Sequence, residues 1–299
     1  MTNLDAIEKV PAKTIVTRTK SVEWFGAEYN MNIYRGCCHG CIYCDSRSLC
    51  YRNYDFGRVK VKEDALRVIR DDLKSRRRRG VVATGAMSDP YNPLERELLI
   101  SRHALELLHA FGFGVAIATK STLVVRDIDL LQDIGRRHRA LVKMTITAAD
   151  DGLCRRIEPF VSPSSERFEA LRKVAEGGVF CGVLMMPILP FIGDSKENVA
   201  EIVEKAADCG ARFIYASFGL SMRDGQREYL YAALDRHFPG LSRKYAERYG
   251  SRYQCPSPNA RKLWDVFRTA CVRRGVLYNM ADIVTASRHE GEMPQRELF

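Results

Sequence analysis

Apolar segments of strand length alternate with amphipathic segments of helix length along most of this chain, and that alternation restricts the fold more than any other feature. The strand candidates are Tyr29 to Tyr34, Val81 to Met87, Val115 to Thr119, Val142 to Thr147, Phe180 to Ile188 and Phe213 to Ser217. Between them lie helical patterns over Lys62 to Ser75, Leu94 to Phe111, Asp127 to His138, Ser165 to Glu176 and Lys196 to Cys209. Leu94, Leu98, Leu105 and Leu108 keep a helical period, as do Val199, Ile202, Val203 and Ala206. Ser195 suits an N-cap, and Gly177 and Gly210 suit helix stops. Strand–helix repetition builds a parallel sheet through right-handed crossovers. Six repeats predict an open, incomplete α/β barrel. Sites in such sheets lie at the carboxyl ends of the strands. The polar residues there are Ser88 and Asp89 after the second strand, Thr119 to Ser121 after the third, and Thr145 and Thr147 on the fourth.

The cysteines supply the chemistry. Cys37, Cys41 and Cys44 stand in a C-x3-C-x2-C pattern between Gly36 and Asp45, just after the first strand candidate. Soft thiolates select zinc, copper(I) or iron–sulfur. Structural zinc wants four ligands, usually as two separated pairs, and Cys50, Cys154, Cys181, Cys209, Cys255 and Cys271 are scattered singly. Cys38 adjoins Cys37 and points elsewhere, and His39 is strained as a ligand in so tight a loop. Three thiolates on a four-iron cluster leave one iron open to a ligand from outside the protein, which makes that iron a reaction centre.

With Tyr43 directly before the last cysteine, this segment resembles the signature of the radical S-adenosylmethionine (SAM) superfamily. The resemblance implies a partial (β/α)6 TIM-like barrel of the radical SAM type, with the cluster loop after its first strand. It also implies a three-cysteine 4Fe-4S cluster whose open iron binds SAM and whose electron yields a 5′-deoxyadenosyl radical. Asn32, Tyr34, Gly36, the run Ser88 to Tyr91, Thr119 to Ser121, and Arg126 with Asp127 resemble more narrowly the spore photoproduct lyase-related branch, over residues 28 to about 220. By that resemblance Ser88 and Lys120 contact SAM, and the charge of Lys120 suits a carboxylate; Tyr43, Thr145 and Met185 are further expected cofactor contacts. The chain departs from the lyase in two places. Met87 stands where the lyase has its hydrogen-donating cysteine, and a thioether has no exchangeable hydrogen. Asp45 replaces the aromatic residue that follows the third cysteine.

Lysine and arginine number 47 against 37 acidic residues, a net charge of +10, which favours a polyanionic partner such as DNA. The densest block, Arg76 to Arg79, ends a helix candidate, where the helix dipole favours cations in any case. Ten cysteines without a signal-like start suit a reducing cytoplasm. The longest apolar stretch, Val179 to Gly193, is too short to span a bilayer, so no membrane role is expected. The expected organisation is an N-terminal extension over 1–27, the barrel over 28–220, a helical C-terminal extension over 221–286 that closes the open side of the barrel, and a tail over 287–299. In the extension, Tyr229, Tyr231, Tyr245, Tyr249 and Tyr253 interleave with Arg227, Arg243, Arg248 and Arg252. That pattern suits either stacked bases or an amphipathic helix with packed tyrosines. Gln295, Leu298 and Phe299 resemble the short peptide with which bacterial DNA-repair proteins dock on the sliding clamp.

Three functions fit these residues. One is a radical SAM enzyme acting on nucleic acid, by DNA repair or modification, fed by an external electron donor. Another is radical SAM modification of a peptide or small molecule. The third is a non-catalytic iron–sulfur or zinc protein that binds nucleic acid. Substrate-dependent SAM cleavage separates the first two, and its absence marks the third.

Overall fold

The computed structural model describes residues 7–288, so the clamp-like peptide at Gln295, Leu298 and Phe299 lies outside the described residues. Among the described residues eleven strands are formed: β1 (Lys9–Val10), β2 (Val16–Arg18), β3 (Tyr29–Met31), β4 (Tyr34–Arg35), β5 (Lys60–Lys62), β6 (Val81–Thr84), β7 (Gly114–Thr119), β8 (Ala140–Thr145), β9 (Phe180–Ile188), β10 (Phe213–Ser221) and β11 (Gln254–Pro256). The main sheet has eight strands in the spatial order β11-β10-β9-β8-β7-β6-β3-β2. Its six central strands, β3 to β10, run parallel, and β2 and β11 flank them antiparallel. A partial (β/α)6 barrel is therefore the fold, as the strand–helix repetition predicts. A small sheet, β1-β5-β4, stands beside it.

The helices of the repeats are α1 (Ala65–Ser75), α2 (Glu95–Leu98), α3 (Ile100–Ala110), α4 (Ile128–Gly135), α5 (Asp151–Ile157), α6 (Ser164–Glu176) and α7 (Lys196–Asp208). Their apolar stripes meet the outer face of the sheet in one core that includes Ile69, Leu105, Leu131, Leu171 and Ile202. The inner face carries Ala83, Ala116, Leu141, Leu184 and Phe213, and Phe25 and Ile283 plug it from below.

Two local expectations need correction, and two elements were not foreseen. The strand expected over Tyr29 to Tyr34 divides, because β4 leaves the barrel to pair with β5. The helix expected over Leu94 to Phe111 breaks at Leu99, where φ is 53°. The cause is Glu95: fully buried, it turns back and accepts the Ser101 backbone N–H at 2.8 Å, capping α3 with a carboxylate. α5 and the edge strand β11 have no counterpart in the sequence reading.

The C-terminal part is helical. It forms α8 (Gln226–His237), α9 (Leu241–Tyr249), α10 (Ala260–Arg274) and α11 (Met280–Ala286). α8 and α9 share a core with the cysteine loop, in which Tyr245 and Tyr249 pack with Cys41, Ile42 and Tyr43. These two tyrosines are thus packing residues and present no surface for stacked bases. α10 lies outside, where Leu263 and Phe267 join the helix-layer core, and α11 contributes Ile283 to the floor. The arginine run 76–79 sits before β6, at the end of the barrel opposite its strand termini, and Arg79 lies over the Phe113 ring at 5.2 Å. No helix among the described residues is long and apolar enough to cross a membrane.

Candidate active site

The cysteine loop leaves β4 through Gly36, whose φ is +83° and whose absent Cβ would stand 2.2 Å from the Arg58 carbonyl oxygen. Only glycine fits there. The loop is then held by backbone hydrogen bonds on two sides: Cys37 N–H to Phe56 O at 2.8 Å, and Ile42 N–H to Ile157 O at 3.0 Å. Opposite it, β6 ends at Gly85, with φ +94° and a position 1.9 Å from Ala118 O that no side chain can occupy. That turn carries Ala86 to Asp89 across the barrel mouth.

Cys37, Cys41 and Cys44 all open onto one cavity of about 100 Å3, which Ser46, Met87, Ser88, Lys120 and Thr145 also line. Cys38 does not line it. Three thiols lining one cup fit a 4Fe-4S cluster, which three protein sulfurs can hold with the fourth iron left to an outside ligand. Burial, reinforced by the charge of Asp89, pushes the Cys37 thiol up to about 12. Burial likewise raises Cys41.

Asp89, itself buried, ties the loops together. It accepts from Thr119 Oγ1 at 2.7 Å, from the Lys120 N–H at 2.8 Å and from the Tyr91 N–H at 2.9 Å, and lies 3.6 Å from His39 Nδ1. Burial pushes His39 down, partly opposed by that carboxylate. Ser88 donates its hydroxyl to the Tyr34 carbonyl at 3.1 Å. Burial works against the Lys120 ammonium, but Cys41, Glu158 and Cys44 outweigh it and hold the pKa above the usual lysine range. The Lys120 Nζ lies 5.7 Å from the Tyr43 ring centre.

Beneath the loop is a network that the sequence reading missed. Tyr43 donates its hydroxyl to Glu158, which also accepts from Arg167 Nη2 at 2.5 Å. Arg167 further donates to Ser162 O at 2.7 Å and to Thr145 O at 2.8 Å. Both charged groups are almost fully buried. Cys154 is the Arg167 Nη2 neighbour at 3.0 Å, locked in this network beneath the loop. Arg167 occupies α6 amid ordinary amphipathic spacing, so no sequence signal marks it.

A second, larger cavity of about 580 Å3 adjoins the first and shares Cys44, Ser46 and Ala86 with it. Tyr43, Asp45, Met186, Ser217 to Ser221 and Tyr253 to Pro256 complete its wall. Met185, expected as a cofactor contact, is instead fully buried in the helix-layer core, as is Ile188. Adjacent strand residues face opposite ways, and Met186 is the one that lines the cavity.

The family model of the radical SAM superfamily matches residues 31–206. An uncharacterised protein of Mycobacterium tuberculosis is 29% identical over 249 residues, covering 81% of this chain and 73% of its own length. One of Methanocaldococcus jannaschii is 31% identical over 199 residues, covering 65% and 72%. Among solved structures, the chain is similar to a tyrosine-to-phenylalanine variant of spore photoproduct lyase, with TM-score 0.65, 17% identity, and 91% and 81% of the two chains covered. It is also similar to a cysteine-to-alanine variant of that lyase with dinucleoside spore photoproduct, with TM-score 0.66, 17% identity, and 89% and 78% covered.

Proposed function

The chain belongs to the radical SAM superfamily, and from that membership we propose that it removes hydrogen from a nucleic-acid substrate, with Cys37, Cys41 and Cys44 as its cluster ligands. It is a radical SAM enzyme, and its cofactors are a 4Fe-4S cluster and SAM. Bound and reduced, these supply a 5′-deoxyadenosyl radical that takes a hydrogen atom from substrate.

The observation that carries the ligand assignment is the opening of all three thiols onto a cup continuous with a substrate-sized cavity. Lys120 supplies a half-buried cation for the SAM carboxylate, and Ser88 and Thr145 supply hydroxyls on the same wall. Met186, Phe218 and Leu220 give the larger cavity apolar sides that exclude water. Three features support nucleic acid: the net charge of +10, the fold shared with a lyase whose solved structure holds dinucleoside spore photoproduct, and Arg223 beside the cavity-lining Asp45. Met87 lines the cup and has no hydrogen to return, so repair of the spore photoproduct itself is not the proposed reaction. That same residue favours a second reading, modification of a peptide or small molecule.

The test is anaerobic. The reconstituted, dithionite-reduced protein is given SAM, and 5′-deoxyadenosine is measured with and without UV-irradiated DNA. Nucleoside formation lost in Cys41→Ala and stimulated by DNA supports the proposal. Formation indifferent to DNA shifts the reading to the second substrate class. None from a fully loaded cluster refutes the proposed chemistry.

A further inference from the structure

Asp45 follows the third cluster cysteine directly and lines the larger cavity. Its carboxylate accepts from Tyr51 OH at 3.0 Å and from Ser221 Oγ at 3.3 Å, and lies 3.4 Å from Arg223 Nε. That last approach is an ion pair without a hydrogen bond: Arg223 Nε is buried and makes none. The guanidinium lies 4.9 Å from the Tyr253 ring centre and 5.8 Å from that of Tyr51, and donates to Tyr253 OH at 3.0 Å. It is still 38% exposed, so it is fixed in place yet open to a ligand. Behind it, fully buried Gln226 accepts the Arg223 backbone N–H at 2.9 Å and donates to the Tyr43 carbonyl at 2.9 Å. One side chain therefore couples the arginine's backbone to the cluster loop.

A guanidinium set beside two tyrosine rings, and donating also to Cys50 Sγ at 3.4 Å, presents a fork suited to phosphate oxygens. Its charge partner is the Asp45 carboxylate, which approaches Nε without a hydrogen bond and which a second anion can displace. We propose that Arg223 is the docking point for a backbone phosphate of a single-stranded nucleic-acid substrate, with Asp45 occupying it as a competing internal anion until the substrate arrives. This rests on the nucleic-acid reading above. Exposed Tyr253, in contact with Arg223, offers an aromatic face on which a flanking base can stack.

The test is fluorescence anisotropy on the cluster-loaded protein with SAM, using a short single-stranded oligonucleotide and the same sequence with uncharged methylphosphonate linkages. Wild type is expected to prefer the charged strand. Arg223→Ala is expected to weaken charged-strand binding about five- to tenfold and to lower the salt slope by about one phosphate contact. Arg223→Lys, which keeps the charge without the fork, is expected to fall between the two. Asp45→Asn, which removes the competitor, is expected to tighten binding. SAM affinity is measured on every variant. A loss of SAM affinity in Arg223→Ala equal to the loss of strand affinity would overturn the inference, because the arginine would then serve the cofactor. Charged-strand binding unchanged in Arg223→Ala overturns the inference alone. Failure of wild type to bind the charged strand overturns the nucleic-acid reading and this inference with it.

Discussion

Lys143 offers a quantitative check on the barrel interior. It lies on β8 between Ala118 of β7 and Gly182 of β9, points inward, and is 1% exposed. Its ammonium sits 4.6 Å from the Phe25 ring centre, a partial compensation, while buried Arg139 adds a like charge. Burial first, and Arg139 second, lower its pKa from 10.5 to about 7. A lowered lysine pKa means that the unfolded chain binds the proton more tightly than the folded one. Stability therefore rises with pH between about 7 and 10.5 and is flat below about 7. At about 1.4 kcal/mol per pH unit, the buried amine costs about 3–5 kcal/mol at pH 7 and below. Lys143→Met keeps the stem and removes the cost. Urea unfolding of both proteins at about pH 7, 8.5 and 9.5 should show the variant more stable at the lowest pH. The gap should shrink by about 1.4 kcal/mol per unit as pH rises. A gap independent of pH would refute the reasoning, because it would mean that the interior leaves the amine with its ordinary pKa.

Other perturbations test the site. Gly36→Ala forces a left-handed residue against the Arg58 carbonyl, at a cost of at least about 1–2 kcal/mol. The iron content of the reconstituted protein should fall well below wild type, and wild-type loading would show that the loop tolerates the shift. Glu158→Ala strands buried Arg167 and should destabilise by about 3–5 kcal/mol in urea unfolding, with Glu158→Gln milder. Burial works to raise Glu158, but Arg167 and Lys120 hold it below the ordinary 4.5. Its contribution is thus present above about 4.5 and lost as pH falls through the lower folded value, so acid should narrow the gap between wild type and Glu158→Gln. Lys120→Met should weaken SAM binding about tenfold or more, the loss of one charge-assisted hydrogen bond, measured by equilibrium binding to the loaded protein. Unchanged affinity would remove Lys120 from the cofactor site.

The cysteine cup and the parallel sheet were legible because both are written locally. Three cysteines within eight residues, Cys37 to Cys44, meet in one cup wherever the loop goes, and strand–helix repetition has few topological solutions. Ser88, Lys120 and Thr145, singled out by their place at strand ends, line that same cup. Met185 was misplaced for an equally physical reason. β9 is apolar on both faces, so its pattern carries no sign of which face turns inward. The break at Leu99 depends on a carboxylate folding back, and the burial of Arg167 depends on Glu158 arriving from α5.

The sequence alone determined a three-thiolate site on a six-strand parallel barrel, because ligand spacing and hydrophobic period are short-range properties of the chain. Tertiary structure alone decided which charges are buried against that site and which stand at its mouth. Asp45 meets Arg223, and Tyr43 meets Glu158, only after β10 and α5 fold back over the cysteine loop. The energy of such pairs depends on burial and distance, neither of which a linear chain contains.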